Sequence, residues 1–285
     1  MREPAAITGV GWAVAGPGFD PAAELAGRGM RHKDRASRFA VRVARRALAD
    51  AGLLGAPELD GAAVVVSSNF GNLEPVCDSV ATIAAGDSRE LSPIRVTHLS
   101  SAVAASWVAL EHGVRGPNLT LCNGASSGLD AVAAARNLIA AGRATVALVI
   151  GVEPDTPAVA RLHTESAGTR WIDGAVGLVV EPVRRAEERG ARVRARLAGF
   201  GKGPDERSAV RAADGTAVRR RVADGPSVRF GRCSGALGVV QCALAVELLA
   251  DGTGAVLAVA GAGSGECDGT SVSALVLTAP RRGDS

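Results

Sequence analysis

Apolar runs alternate with helical stripes along the first part of the chain, and each predicts one element. The segment AAITGVGW near the N-terminus is β-branched and leads into glycines, which predicts a first strand followed by a loop. From Asp34, the sequence DRASRFAVRVARRALADAGLL has apolar residues at helical spacing between an N-cap acid and the stop Gly52, which predicts a helix. The apolar run GAAVVVSSNFGN from Gly61 then predicts a strand buried on both faces that ends in a polar turn.

The same alternation continues to the C-terminus. GPNLTLCNGASS predicts a strand and a turn, GLDAVAAARNLIAAGRA an alanine-rich helix that ends at Gly142, and ATVALVIGVEP the next buried strand. Further on, ARVRARLAGFGKG, GAVLAVAGAGSGE and SVSALVLTAP predict strands, and GALGVVQCALAVELLADG predicts a helix. Residues 204–226 are polar, glycine-containing and arginine-rich, which predicts a loop, and the tail RRGDS is expected to fray.

Strands that alternate with helices predict an α/β fold with a parallel or mixed sheet and helices on its faces. Each half of the chain also contains a strand that ends in a glycine turn, CNGASSG near the middle and GAGSGEC near the end. This correspondence predicts two similar α/β halves packed back to back.

Composition and charge narrow the possible partners. The chain is 47% hydrophobic and 21% charged, as in an ordinary soluble globular protein. Its net charge of +3 comes from nearly balanced acids and bases, which argues against nucleic acid or an anionic membrane as the main partner. The 5 cysteines form no CxxC pair, which argues against a disulfide framework, and ATVALVIGVEP is too short to span a bilayer. We therefore predict a cytoplasmic protein with no cofactor and no metal.

The segment GPNLTLCNGASSGLDAV resembles the nucleophile elbow of β-ketoacyl synthases, most closely that of the paired ketosynthase subunits of type II polyketide synthases. Other segments over residues 5–280 resemble this family in the same order: DRASRFAVRVARRALADAGL, VVVSSNFGNLE, DGAVGLVVEP, GRCSGALG and AGAGSGE. The chain is thus similar to a degenerate and truncated β-ketoacyl synthase. The resemblance implies the thiolase-like layered αβαβα fold of two similar halves, with residues 1–183 as the N-terminal half and residues 184–285 as a shortened C-terminal half.

The resemblance also implies that the groups which do the family's chemistry are missing. In the family an elbow cysteine takes the acyl group, and counting from Gly116 places Ala125 at that position. Of two catalytic histidines, one position falls on Arg232, and the other belongs to an HGTGT loop for which residues 206–225 are too few. Ser264 stands where the family has a gating phenylalanine. Because a methyl group cannot act as a nucleophile, this pattern predicts the loss of condensing activity.

Two cysteines are candidate substitute nucleophiles, Cys122 and Cys233. Cys122 precedes the elbow on a predicted buried strand, where a cysteine is usually a small core residue. Cys233 is the better candidate, because the adjacent Arg232 would lower the pKa of its thiol. The chain's histidines lie in none of the family motifs: His32, His98, His112 and His163.

Two further motifs have alternative interpretations. GAGSG invites a dinucleotide-binding interpretation, but a strand follows it instead of the helix that would hold a pyrophosphate. The arginines 219–221 would suit the acidic surface of an acyl carrier protein, although a solvated loop explains them as well.

The leading hypothesis is a non-catalytic subunit, similar to a chain length factor, that pairs with an active ketosynthase as a heterodimer and contacts an acyl carrier protein transiently. On the resemblance, GPNLTLCN is expected at the dimer interface. Chain length factors commonly carry glutamine where this chain has Ala125. The alternative is an enzyme with altered chemistry, such as thioester decarboxylation or acyl transfer without a cysteine nucleophile, in which Arg232 binds a malonyl carboxylate. A third possibility is a binding or regulatory protein on a reduced thiolase fold.

Overall fold

The computed structural model describes residues 4–27, 29–86, 88–162, 170–222, 229–261 and 271–280. Its strands are Ala5–Val14 (β1), Ala63–Ser67 (β2), Asn118–Leu121 (β3), Ala147–Glu153 (β4), Gly174–Pro182 (β5), Ala195–Gly203 (β6), Arg220–Val222 (β7), Ala255–Gly261 (β8) and Val272–Thr278 (β9). Its helices are Pro21–Glu24 (α1), Arg35–Asp50 (α2), Leu73–Ala85 (α3), Pro93–Val96 (α4), Val103–His112 (α5), Ser127–Ala140 (α6), Pro157–Leu162 (α7), Val183–Glu188 (α8), Glu206–Ala212 (α9) and Leu237–Leu248 (α10).

The described strands form one mixed sheet in the order β3-β2-β4-β5-β1-β6-β9-β8-β7. β1 and β6 pair only through residues 5–7 and 195–197, and this short ladder joins two runs of strands. The order β1-β5-β4-β2 in the first run is repeated by β6-β9-β8-β7 in the second. Among the described residues, the second run has no counterpart of β3. The division of the chain between residues 183 and 184 stays a prediction.

Two helices lie between the two runs of strands and form the centre of the molecule. α6 and α10 pack against each other, and each contacts strands of both runs. A Cβ on Gly238 would lie 2.2 Å from the backbone nitrogen of Leu129, and a Cβ on Gly128 would lie 2.6 Å from the nitrogen of Gly238. Only glycine permits so close a backbone approach. With α2 on the outer face of the first run and α9 on that of the second, the layers are αβαβα.

The strongest sequence patterns gave the right elements. Asp34 caps α2, because its carboxylate accepts a hydrogen bond from the backbone nitrogen of Ser37 at 2.9 Å. The helix ends before Gly52, whose φ of +69° is in the left-handed region. The predicted strands and the helices α6 and α10 are present as well. The tail RRGDS lies outside the described residues.

The prediction of a loop over residues 204–226 was wrong. That segment contains α9, which Asp205 caps by accepting from the backbone nitrogen of Ser208 at 2.8 Å, and the strand β7. α9 packs closely on β6, since a Cβ on Gly199 or Gly201 would lie within 2.2 Å of a helix carbonyl. The arginine-rich composition gave no sign of the short helix α9, which fits closely against the glycines of β6.

The sequence analysis also missed α3 and α5 between β2 and β3. α3 buries only Ser79, and α5 buries only four small or β-branched residues, so neither helix has a broad apolar face in the core. In the part of the chain that the structure describes, no helix is both long and apolar enough to cross a membrane.

Candidate functional site

Ala125 lies in a single 3₁₀ turn, Gly124–Ser126, between the end of β3 and the first residue of α6. Gly124 has a φ of +80°, which lets the chain turn sharply from strand to helix. The Ala125 methyl is fully buried in the apolar core between the two runs of strands. The position that was assigned to the nucleophile therefore has neither a reactive group nor an open surface.

A second turn of the same form, Ser234–Ala236, leads into α10 and contacts the first turn. Ser234 has a φ of +45°, a conformation that costs a residue with a side chain ~1 kcal/mol or more. Just before it, the Arg232 guanidinium lies over the ring of Trp171 at 5.6 Å. The arginine that the sequence analysis assigned to a family histidine position therefore lies on an indole.

Asn69, in the turn after β2, connects the two turns. Its Nδ2 donates a hydrogen bond to Ser234 Oγ at 2.8 Å. Its Oδ1 accepts from the backbone nitrogen of Gly124 at 3.2 Å and from Ser127 Oγ at 3.4 Å. One amide side chain therefore holds the start of α6 and the start of α10 in a fixed relation.

Glu153, the last residue of β4, has a buried carboxyl group beside the same turns. Oε1 accepts from the backbone nitrogens of Asn69 at 2.7 Å and Gly235 at 2.9 Å. Oε2 accepts from the backbone nitrogen of Phe70 at 3.0 Å and from Ser68 Oγ at 3.1 Å. Burial raises the pKa of Glu153 to about 7, although these hydrogen bonds act in the opposite direction. The carboxyl group joins the two halves of the fold.

Asp130, in the first turn of α6, is the centre of a second polar network. Its Oδ2 pairs with Lys202 Nζ at 2.6 Å and accepts from Asn123 Nδ2 at 2.5 Å and Ser126 Oγ at 3.2 Å. Its Oδ1 accepts from Ser273 Oγ at 2.5 Å. Lys202 and Ser273 come from β6 and β9, so this network also connects the halves.

Neither candidate cysteine has the surroundings of an activated thiol. Cys122 follows the edge strand β3 and is exposed, so its predicted place on a buried strand was wrong. Partial burial, and then the charge of Glu153, raise the pKa of its thiol, which disfavours the thiolate. Cys233 is fully buried, and its thiol donates to the carbonyl of Gly231 at 3.2 Å.

The remaining predicted residues are distributed over the molecule. Ser264 and the GAGSG segment from residue 262 onwards lie outside the described residues, as does His163. Residues 223–228 also lie outside them, so the missing HGTGT loop remains an inference from the sequence. His32 and His98 line a cavity near the start of α2, and His112 ends α5.

The arginines 219–221 lie at the outer edge of the sheet, and two of them belong to β7. Arg220 pairs with Asp251 at 3.6 Å, and Arg221 pairs with Glu206. Much of this charge is therefore engaged within the chain, and contact with a carrier protein stays a prediction.

The polar groups around the elbow hold the two turns in one conformation. Its amides, hydroxyls, lysine and carboxyl groups bond to one another. In the described part of the chain, no imidazole is hydrogen-bonded to these groups, and no group of three His, Cys, Asp or Glu side chains could hold a metal ion. The sequence analysis missed Asn69, Glu153 and Lys202. One signal was present for Glu153, because an acid that ends a wholly apolar strand requires buried partners.

Comparison with known proteins agrees with this geometry. The profile of the β-ketoacyl synthase N-terminal domain matches residues 10–169. A "Putative polyketide beta-ketoacyl synthase 2" of Streptomyces virginiae is 32% identical over 247 residues, which cover 73% of this chain and 61% of the relative. A "3-oxoacyl-[acyl-carrier-protein] synthase 2" of Rhizobium meliloti is 29% identical over 194 residues, which cover 59% of this chain and 46% of the relative.

The chain therefore spans about half to three fifths of the length of these relatives. A solved structure, "The ishigamide ketosynthase/chain length factor", superposes with a TM-score of 0.78 at 22% identity and covers 98% of this chain and 100% of that chain. At this identity the likeness supports the thiolase-like fold alone. The domain match, the sequence relatives and the layered sheet lead to one conclusion: the chain belongs to the β-ketoacyl synthase family.

Proposed function

We propose that this chain is a non-catalytic, chain length factor-like subunit that pairs with an active ketosynthase in a type II polyketide or related fatty-acid-like pathway. The observation that carries the proposal is the elbow itself. Ala125 is fully buried, and a methyl group cannot take an acyl group from a thioester. At the same time the turn, its helix and its polar supports are all intact, as a subunit retained for its shape requires.

The surface beside the elbow supports a pairing role. β3 is an edge strand of the sheet, and Leu119 on it is 40% exposed. Of 10 exposed large hydrophobic side chains in the described residues, 7 lie between Val80 and Leu119: Val80, Ile83, Ile94, Val96, Leu99, Leu110 and Leu119. The elements that carry them contact one another in series, from α3 through the turn at residues 97–99 and α5 to β3. Exposed apolar patches are typical of protein–protein contacts. An open strand edge beside them is a ready template for a partner strand.

The names of similar proteins favour the same partners. The ishigamide structure is named for a ketosynthase and a chain length factor together, and the Rhizobium relative is named for an acyl carrier protein as substrate carrier. On this basis the partner is an intact ketosynthase, and an acyl carrier protein is a transient one.

Co-expression tests the proposal directly. The chain is produced with a ketosynthase from the same gene neighbourhood that has its cysteine and both histidines, and only one of the two carries an affinity tag. We expect both to elute as one complex at equal stoichiometry in size-exclusion chromatography with light scattering. A soluble monomer that never co-purifies with that ketosynthase would refute the pairing role.

An activity assay separates the proposal from the alternative of altered acyl chemistry. The purified chain and its Arg232→Ala variant are incubated with malonyl thioesters, with the active ketosynthase as a positive control. We expect no decarboxylation and no acyl transfer from either form, because Arg232 lies over Trp171 and the elbow has no nucleophile. Turnover by the wild type that Arg232→Ala removes would establish the alternative.

A further inference from the structure

A cavity of about 660 Å³ opens beside the start of α2, and none of the elbow residues lines it. Its lining carries five lysine and arginine side chains and three acidic ones, and two further acids just outside the lining, Asp173 and Glu111, pair with Arg35 and Lys33. The charged residues of the lining are Arg31, Lys33, Arg35, Arg38, Arg95, Asp34, Glu74 and Asp78. Any of these cations that has no acidic partner makes the cavity a candidate site for an anion.

Two of the cations have donors to spare. Arg35 pairs with Asp173, Arg95 pairs with Asp78, and Lys33 pairs with Glu111 and donates to a backbone carbonyl. In contrast, the guanidinium of Arg31 has no partner among the described residues. Arg38 donates through Nε and Nη2 to backbone carbonyls, which leaves its Nη1. These two arginines can therefore donate to a ligand without breaking an existing ion pair.

His98 gives the cavity a buried polar group. The residue is only 4% exposed, and its Nδ1 lies 2.7 Å from Asp34 Oδ2. Asp34 is itself fixed by Ser37, and the imidazole stacks on Trp107 with ring centroids 6.4 Å apart. His98 lines the cavity, and no described residue bonds to its Nε2. The ring is therefore held in place by one nitrogen while the other is available to a ligand.

We propose that this cavity binds a small phosphate monoester, with the phosphate at Arg31, Arg38 and Nε2 of His98. A phosphate has three terminal oxygens, which suits two arginine forks and an imidazole at once. Its second pKa is about 6, so near neutral pH it can accept from a protonated imidazole or donate its own proton to a neutral one. A carboxylate has two oxygens and no proton at that pH, so it fits the set less well. Burial first, and then the charge of Asp78, raise the pKa of Glu74.

Isothermal titration calorimetry tests the proposal on the full chain alone. The probes are glycerol phosphate and inorganic phosphate at constant ionic strength, with acetate as competitor. We expect saturable one-site binding of both phosphates and no competition by an equal concentration of acetate. Arg31→Ala should lower the association constant about tenfold, or ~1.4 kcal/mol, because a charge-assisted hydrogen bond to the phosphate is lost. Arg115→Ala, which removes an arginine that is 83% exposed and outside the cavity, should leave binding unchanged.

The role of His98 has its own readout. On phosphate addition, the Nε2 resonance of one imidazole should shift in nitrogen-15 spectra, and the same signal should be absent from His98→Gln. The spectrum of the wild type keeps the test valid where that buried variant fails to fold. The proposal is overturned by non-saturable heats, by wild-type affinity in Arg31→Ala, by competition from acetate, or by an unshifted imidazole. Because no ketosynthase is present, this result is independent of the pairing experiment.

Discussion

The elbow and the surface that carries the exposed apolar side chains from Val80 to Leu119 differ in how many of their side chains have partners within the chain. At the elbow, polar side chains bond to one another around a buried methyl, and Asn69, Glu153 and Asp130 connect the two halves of the fold. On the neighbouring surface, large apolar side chains and an edge strand are left uncovered. In an enzyme of this family we would expect the reverse, with reactive groups at the elbow. The position assigned to the nucleophile is thus buried in the core, whereas the neighbouring surface leaves apolar side chains exposed.

The largest expected effect concerns the buried elbow, where α6 packs against α10. Gly238→Ala places a methyl 2.2 Å from the backbone of Leu129, which must force α6 and α10 apart. We expect the free energy of unfolding in urea to fall by about 4 kcal/mol. Gly16→Ala is the control, because a Cβ there meets nothing within 4 Å. Equal stability of the two variants would mean that the crossing is looser than the structure has it.

The second effect concerns the exposed surface at the edge strand β3. Leu119→Lys puts a charge on the edge strand, which should weaken binding to the ketosynthase about a hundredfold, or ~3 kcal/mol, because charge on an edge opposes strand pairing. Leu248→Lys is the matched control, since Leu119 and Leu248 are 40% and 42% exposed but only Leu119 lies on β3. Affinity from biolayer interferometry checks this. If the two variants bound the ketosynthase with equal affinity, β3 would not be the interface.

The third effect uses pH to test how tightly the elbow is closed. With its pKa raised to about 7, Glu153 favours the folded state in its protonated form, and this contribution is lost as pH rises through 7. Between pH 5 and pH 8 the loss is about 2.5 kcal/mol. Glu153→Gln cannot titrate, so its stability should decline less with pH by that amount in urea unfolding. Parallel profiles for wild type and variant would contradict the buried carboxyl.

The smallest effect concerns backbone strain at the second turn. Ser234→Ala and Ser234→Gly both lose the hydrogen bond from Asn69, but only glycine accommodates a φ of +45° without strain. We expect the glycine variant to be more stable than the alanine variant by about 1 kcal/mol in thermal unfolding. The opposite order would indicate that the turn relaxes to another conformation.

Much of the fold could be predicted from the sequence because local patterns determine it. α2 has a cap, an apolar stripe and a glycine stop, and β2 and β4 are uninterrupted apolar runs. α3 could not be predicted in this way, because Ser79 is its one buried residue and no apolar stripe faces the core. α9 depends on the fit of its backbone to two glycines of β6, which no local pattern reveals.

The residues of the candidate site also separate into those that a local motif reveals and those that only the folded chain brings together. Ala125 could be placed from the sequence, because the elbow motif is contiguous and its spacing is intact. Glu153 and Asn69 could not, since the bond between them spans 84 residues and that from Asn69 to Ser234 spans 165. Contacts of this range depend on the packing of two halves that are distant in sequence.

The contact between Gly128 and Gly238 has a consequence for how such a fold can be shortened in evolution. In a fold made from two copies of one unit, strands at the rim can be lost singly, and the described residues of the second copy supply four strands against five. The helices on the shared axis cannot be lost in this way, because each is the other's packing surface. A chain of this fold can therefore lack a rim strand and keep its core, whereas the two central helices have to be present together.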